Sequence, residues 1–278
     1  MTYTVQCERG GKMATRLRRL TIALLLAAVV APAPSRAADT DRWQPAPGSS
    51  WQIQISSVPE TILAVEVYDV DLFETPESLI DQMRREDIRV ICYFSAGSYE
   101  NWRPDKDAFA PGDLGKPLSG WPGERWLNIR SENVKDIMTA RMDLAVSKGC
   151  DAVDPDNVDG YSNKNGLSLT AAEQRDYNQW LADTAHGLGL AVGLKNDLEQ
   201  VAELAPSFDF AVNEQCVKYR ECDLLAPFVD AGKPVFHIEY AKPKKVARVC
   251  RSSAGYGLDT LVKRMNLGDW RHECPADA

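Results

Sequence analysis

Residues 133–161, NVKDIMTARMDLAVSKGCDAVDPDNVDGY, hold a complete helix, strand and acidic loop in one stretch. Val134, Ile137, Met138, Leu144 and Ala145 recur at a period near 3.6, which predicts a helix over 133–148 with that stripe turned inward. Arg141 falls within the stripe, so it is expected to be a buried ion-pair partner. After Gly149 and Cys150 the pattern changes to Asp151–Asp154, a short strand. The strand runs straight into Asp154, Asp156 and Asp159, three carboxylates within six residues.

The same alternation extends outward in both directions. Strands are predicted at Trp51–Ile55, Ala64–Val70, Arg89–Phe94, Leu190–Leu194, Phe208–Val212, Pro234–Ile238 and Gly257–Val262, rich in Val, Ile and aromatics between turn signals. A further short strand is predicted at Trp126–Ile129. Helices fall between them: Pro76–Glu86 with Thr75 as N-cap, and a helix to about Gly187 opened by the capping box Thr170–Glu173. Shorter helices are predicted at Leu198–Leu204, Asp223–Asp230 and Lys244–Arg251. Eight strands with intervening helices predict a (β/α)8 barrel of the TIM type; the rival is an open doubly wound sheet.

Barrel enzymes carry their chemistry at the C-terminal ends of the strands. Those ends read Tyr68-Asp69-Val70-Asp71, then Ser95 through Glu100 to Trp102, then Asp154 through Tyr161. Lys195-Asn196-Asp197, Asn213-Glu214-Gln215 and Glu239-Tyr240 follow. Carboxylates with aromatic faces suit glycoside hydrolysis, where one carboxylic acid protonates the leaving oxygen and a second carboxylate attacks or activates water. Asp156 and Glu214 are the expected catalytic pair, on alternate strands facing across the barrel mouth. Asp154 and Asp159 stay open as alternatives to Asp156, with Asp154 also expected as a buried salt-bridge partner. Expected substrate contacts are Asp69, Asp71, Tyr93, Tyr99, Glu100, Trp102, Asp154, Asn157, Asp159, Tyr161, Lys195, Asn196, Asp197, Glu239 and Tyr240. Of these, Asp71, Glu100, Asp197 and Glu239 are expected to form subsites for amino or hydroxyl groups.

Other chemistries lack their residues. Three His, no HExxH and no paired Cys-x2-Cys with His leave no zinc pattern, and no metal or cofactor is expected. The Asp154-x-Asp156 start of a calcium loop fails at Val158 and Asp159. No P-loop, no GxSxG elbow and no dinucleotide glycine spacing occurs. His186 is expected to be structural and His237 to belong to the core.

The start of the chain reads as a targeting segment. Arg16, Arg18 and Arg19 precede the apolar run Leu20–Ala31, and Ser35-Arg36-Ala37 offers small residues at a cleavage site. Residues 1–37 are thus expected to be a secretory signal peptide cut after Ala37, with residues 38–50 a leader or linker and 51–278 the catalytic domain. The run is too short for a membrane span, and the mature form is expected to be secreted or periplasmic with no membrane anchor. The segment carries six Lys/Arg against one Glu, so its loss takes the net charge from −8 to −13. Such a chain repels nucleic acid. Cleavage also removes Cys7 and leaves six Cys, an even number in an exported chain. Nearness in sequence predicts Cys216–Cys222 and Cys250–Cys274, and elimination leaves Cys92–Cys150.

The stretches VYDVDLFET (67–75), ICYFSAGSYENWRPD (91–105), VDPDNVDGY (153–161), GLAVGLKND (189–197), FDFAVNEQC (208–216) and VFHIEY (235–240) resemble glycoside hydrolase family 114. The resemblance runs from Trp51 to Asn266. It implies an endo-α-1,4-polygalactosaminidase on a (β/α)8 barrel, with an Asp after the fourth strand and a Glu after the sixth. Those positions are the Asp-Pro-Asp-Asn stretch, with Asp156 the first choice, and Glu214. By the same resemblance Asp156 is the nucleophile and Glu214 the acid/base of a retaining mechanism. The implied partner is a galactosamine-containing polysaccharide, a polycation that an acidic monomer would attract in a salt-sensitive way. A carbohydrate-binding barrel without catalysis, or an enzyme on another polysaccharide such as a deacetylase, would share much of this pattern.

Overall fold

The structure is a computed structural model that describes residues 42–275. The signal-peptide reading of residues 1–37 lies outside them. Eight parallel strands follow one another around a barrel: β1 (Trp51–Gln54), β2 (Val67–Asp71), β3 (Arg89–Ser95), β7 (Ala152–Asp156), β8 (Ala191–Lys195), β9 (Phe210–Glu214), β10 (Val235–Tyr240) and β11 (Asp259–Lys263). All eight predicted strands are present. The extra strand over 126–129 exists as β6 (Glu124–Leu127), shifted by two residues. It pairs antiparallel with β4 (Ser98–Glu100) and β5 (Leu114–Pro117) in a small sheet beside the barrel mouth.

Side chains alternate across each strand, and alternation decides what fills the barrel. Trp51, Val67, Ile91, Ala152, Ala191, Phe210, Phe236 and Leu261 turn inward and form one apolar cluster. Trp51 lies 4.9 Å from Phe236 and Phe236 lies 5.5 Å from Phe210, ring centre to ring centre. Gly193 makes room for this: a Cβ there would stand 2.3 Å from the Phe210 ring. The outward residues, such as Val70, Cys92, Phe94, Val153 and Val192, pack under the helices in a second, larger cluster.

The seam between β1 and β11 is closed by side chains and loops. Trp51 Nε1 donates to the Asp259 carbonyl at 2.9 Å, and Lys263 Nζ donates to Gln52 Oε1 at 2.8 Å. A ninth strand, β12 (Arg271–Glu273), pairs antiparallel with β11. Residues 42–50 are no free linker. Trp43 packs on the barrel-interior cluster, Arg42 pairs with Asp209 at 3.1 Å, and Gly48 N–H donates to Asp259 at 2.9 Å.

The longer helices are α1 (Glu77–Arg85), α2 (Glu132–Lys148) and α3 (Ala171–Gly187); α4 (Val201–Leu204), α5 (Cys216–Tyr219), α6 (Ala226–Asp230) and α7 (Val246–Ser253) are short. Helix α2 ends at Gly149, whose φ of +81° suits a residue without a Cβ. The Thr170–Glu173 capping box opens α3 as predicted. Thr75 does not cap α1. Asp71 Oδ1 instead accepts the Phe73 and Glu74 N–H groups, forming the turn itself, and Pro76 becomes the first flanking residue of the helix. All three predicted disulfides, Cys92–Cys150, Cys216–Cys222 and Cys250–Cys274, are formed. No described helix is long and apolar enough to cross a membrane.

Candidate active site

A cleft of about 890 Å³ opens at the C-terminal ends of the strands, with the small β4–β6–β5 sheet as one wall. Inward alternation along β7 places Ala152, Asp154 and Asp156 on one face at increasing height. Asp154 is fully buried, while the Asp156 side chain is 20% exposed at the cleft floor. Asp156 Oδ2 accepts from the Tyr93 hydroxyl at 2.8 Å, and Oδ1 accepts from the Asn157 N–H at 2.8 Å. Its backbone carbonyl takes the N–H groups of Ala96 and Gly97 at 2.8 and 3.0 Å. Gly97 must be glycine, because a Cβ would stand 1.7 Å from the Asn157 carbonyl oxygen. The loop after β3 is thereby clamped to the residue that carries the carboxylate.

Glu214 ends β9 and also lines the cleft. The Tyr240 hydroxyl donates to its Oε1, and Asn196 Nδ2 donates to its Oε2 at 3.3 Å. The Asn196 Oδ1 accepts the Glu214 N–H at 2.9 Å, so one amide holds both the backbone and the side chain of Glu214. Asn196 and Asp197 both take left-handed backbone, φ +51° and +46°, a geometry sustained only where surrounding bonds enforce it.

Under the floor lies a buried polar layer. Lys195 Nζ stands 3.0 Å from Asp154 Oδ2 and 3.7 Å from Asp156 Oδ1. Burial alone would lower the Lys195 pKa; Asp154, Asp156, Glu214 and Asp69 together hold it well above the usual value. Burial pushes Asp154 up to about 6 against the pull of Lys195. Asp69, deeper still, is held far above the usual carboxyl range by burial and by Asp154.

The wall contributes further groups. Arg103 ties Glu100 (Nε to Oε2, 2.8 Å) to Asp71 (Nη2 to Oδ2, 2.8 Å). Glu124, bonded by Ser98 Oγ at 2.6 Å, is pushed up to about 7 by burial, with Glu100 and Asp156 adding to it. Asp159 is pushed up to about 6 by burial and then by Asp156. Trp102 and Trp121 are 50% and 54% exposed on the rim. Seven carboxyl groups line the cleft against two cations, Arg103 and Lys195, and both cations are already paired with carboxylates.

Of the expected contacts, Asp71, Tyr93, Glu100, Trp102, Asn157, Asp159, Lys195, Asn196 and Tyr240 line this cleft with Asp156 and Glu214. Asp69 and Asp154 lie beneath it. Four expected contacts lie outside it. Tyr99 alternates with Glu100 on β4 and so packs edge-on against Phe109 at 5.5 Å. Glu239 alternates with Tyr240 on β10 and faces the helices, accepting the Val217 N–H at 2.9 Å. Asp197 accepts from Asn178 at 2.9 Å behind the loop, and burial pushes it up to about 8. The Tyr161 hydroxyl donates to Glu199 at 3.0 Å. Glu124, Trp121, Arg103 and the segment Met265–Leu267 are cleft residues that the strand-end reading passes over. Glu124 sits just before the predicted strand at 126–129, the one signal that pointed to it.

His186 pairs with Asp209 at 2.8 Å and His237 is fully buried, both structural as expected. His237 also stands near Cys216 and Cys222, but their sulfurs are joined to each other and offer no thiolate to a metal.

Comparison with known proteins gives the site a context. The chain is similar to Ega3 of Aspergillus fumigatus, solved in complex with galactosamine, at 46% identity and a TM-score of 0.81, covering 84% of this chain and 98% of that one. It shares its fold with the glycoside hydrolase domain of PelA from Pseudomonas aeruginosa, at 13% identity and a TM-score of 0.63 over 81% of this chain and 98% of that one. A search of the curated proteins finds no match. The model of glycoside-hydrolase family GH114 matches residues 32–278, and the chain belongs to that family.

Proposed function

We propose that the chain is an exported endo-hydrolase of α-1,4-linked galactosamine polymers, with Asp156 as nucleophile and Glu214 as acid/base. The observation that carries the reading is the cleft's charge: seven carboxyl groups, with both lining cations already spoken for. An amino sugar carries its charge as an ammonium group, which such a cleft attracts. The likeness to Ega3, whose crystal structure holds galactosamine, supports the same substrate class. Three disulfides in the described residues support export.

In the first step the Asp156 carboxylate attacks the anomeric carbon while the Glu214 carboxylic acid gives its proton to the departing glycosidic oxygen. A covalent glycosyl ester and a shortened chain result. Water then attacks the anomeric carbon as Glu214 takes its proton, and the bond from that carbon to Asp156 breaks, so Asp156 leaves as carboxylate with configuration retained. Tyr93 and Asn157 fix the orientation of Asp156, and Tyr240 and Asn196 that of Glu214. Trp102 and Trp121 offer faces on which sugar rings lie.

The test is the mature protein against defined galactosaminan, its N-acetylated form and neutral galactan, read as reducing ends and product mass. Internal cleavage of the galactosaminan, weakening as salt rises, is expected. Binding of the polymer without new reducing ends would instead make the chain a binding barrel. Glu214→Gln and Asp156→Asn should each lower kcat by roughly 10²–10⁴-fold with folding intact; full activity in either variant would reassign that role.

A further inference from the structure

Beyond Glu214 the chain turns sharply. Gln215 and Arg220 take left-handed backbone, φ +67° and +65°, on either side of α5, and the Cys216–Cys222 bond closes the loop. This loop and α7 enclose a second cavity of about 800 Å³, which shares Gln215, Tyr240 and Met265 with the catalytic cleft.

Its charge is the reverse of the cleft's. Lys218, Arg220, Lys245 and Arg248 line it, all exposed, against the single carboxylate of Glu239. That carboxylate is engaged already: Oε1 accepts the Val217 and Lys218 N–H groups at 2.9 and 3.2 Å and stands 3.4 Å from His237 Nε2. Among the described residues the side chains of Arg220, Lys245 and Arg248 make no ion pair and no hydrogen bond. Three unpartnered cations around one hollow run against the acidic excess of the chain as a whole. Arg220 is one of them, and the disulfide-closed loop holds it in a backbone conformation that non-glycine residues rarely adopt.

We propose that this cavity binds an acidic sugar, one whose ring bears a carboxylate. The cations supply the partners for the carboxylate, with the planar guanidinium groups suited to bidentate pairing. A bare inorganic anion would leave most of the space empty, since the volume lies in the range of small-molecule sites. Tyr256 and Met265, 41% and 55% exposed, give an apolar wall for a ring face. Because Tyr240 lines both hollows, an occupant sits directly beside the Glu214 end of the cleft. The site stands apart from the hydrolytic reading and would serve a non-catalytic barrel as well.

Calorimetric titration of the mature chain with an α-1,4-linked galacturonate trimer tests it, with neutral galactose trimer and inorganic phosphate as comparators. The acidic trimer should bind about tenfold tighter than either comparator at low salt, and weaken in about 0.5 M NaCl. The double variant Arg220→Ala/Arg248→Ala, altered at two exposed positions, should keep its melting temperature and lose about tenfold in affinity for the acidic trimer. Binding no tighter than that of neutral galactose, binding matched by phosphate, or binding unchanged in the double variant would each overturn the proposal. Failure of the chain to cut galactosaminan would leave this outcome untouched, so the two readings fail separately.

Discussion

Replacing Lys195 by Met should make the stability of the barrel depend steeply on pH. Lys195 is 2% exposed, with Asp154 at 3.0 Å and Asp156 at 3.7 Å. At an effective dielectric constant of about 20, unit charges at those separations attract by about 5.5 and about 4.5 kcal/mol. Removing the ammonium also removes its own desolvation cost, so the net loss near pH 7.5 should be about 3–5 kcal/mol. The sign with pH follows from the carboxyls. Lys195 is held above its ordinary value, so its contribution is complete below the unfolded lysine pKa and is lost only as pH rises past the folded value. It therefore stays charged throughout the range from 5 to 8. Asp154 titrates at about 6 in the wild type, raised by burial and restrained by Lys195. Without that cation it rises further. The folded variant then holds protons that the unfolded chain releases near pH 4, and it loses about 1.4 kcal/mol per pH unit for each carboxyl so held. Urea unfolding at pH 5, 6 and 7.5, with disulfides intact, measures this. The deficit against wild type should shrink by about 2 kcal/mol or more on going from pH 7.5 to 5. A deficit constant across the range, or none at pH 7.5, would refute the pairing of Lys195 with the buried carboxylates.

Other expectations bear on the cleft. Glu124 gains its proton as pH falls through about 7, so the cleft loses negative charge and kcat/KM for a cationic oligomer should drop between pH 8 and 6. Glu124→Gln should flatten that part of the profile and leave the step near pH 6 from Asp159; an unchanged profile would remove Glu124 from substrate attraction. Trp102→Ala and Trp121→Ala should each cost about 0.5–1.5 kcal/mol of binding, read as KM rising roughly two- to tenfold with kcat held; a kcat effect with KM held would assign them to the reaction step. Gly97→Ala sets a Cβ 1.7 Å from a backbone oxygen and should cost more than about 3 kcal/mol or displace the loop beside Asp156, visible as a lowered melting temperature.

Much of the barrel is legible locally because its signals are local. The stripe of α2, the Thr170–Glu173 capping box and the eight apolar runs depend on periodicity within a dozen residues. The disulfides follow from an even count and closeness in sequence. Site residues were legible where alternation along a strand was respected. Tyr240 faces the cleft, so its neighbour Glu239 cannot, and the same parity sends Tyr99 away from Glu100. Naming both members of each pair treated the strand end as a point instead of a two-sided ribbon. Glu124 and Trp121 escaped for another reason. They lie on the long excursion over residues 96–131, Glu124 in its small sheet and Trp121 in the turn before β6, and nothing in adjacent sequence states which loop reaches the barrel mouth.

Height along the barrel axis is the quantity that sequence pattern leaves open, and it separates the three carboxylates of the Asp154–Asp159 stretch. Alternation puts Ala152, Asp154 and Asp156 on one inward face, so parity alone treats Asp154 and Asp156 alike. The register separates them. Asp154 pairs across from Tyr93, with the Lys195 ammonium reaching it at 3.0 Å, and there it is fully enclosed with no path for a sugar ring. Asp156 lies one full repeat higher, opposite Ser95, where the wall opens and its carboxylate is partly exposed. Asp159 has left the strand, and its position depends on the loop held by the capped helix α3. A nucleophile needs both access and rigid placement. Asp154 has the second without the first. Asp156 meets both demands, with access from the cleft and placement from Tyr93, Asn157 and the backbone clamp at Gly97.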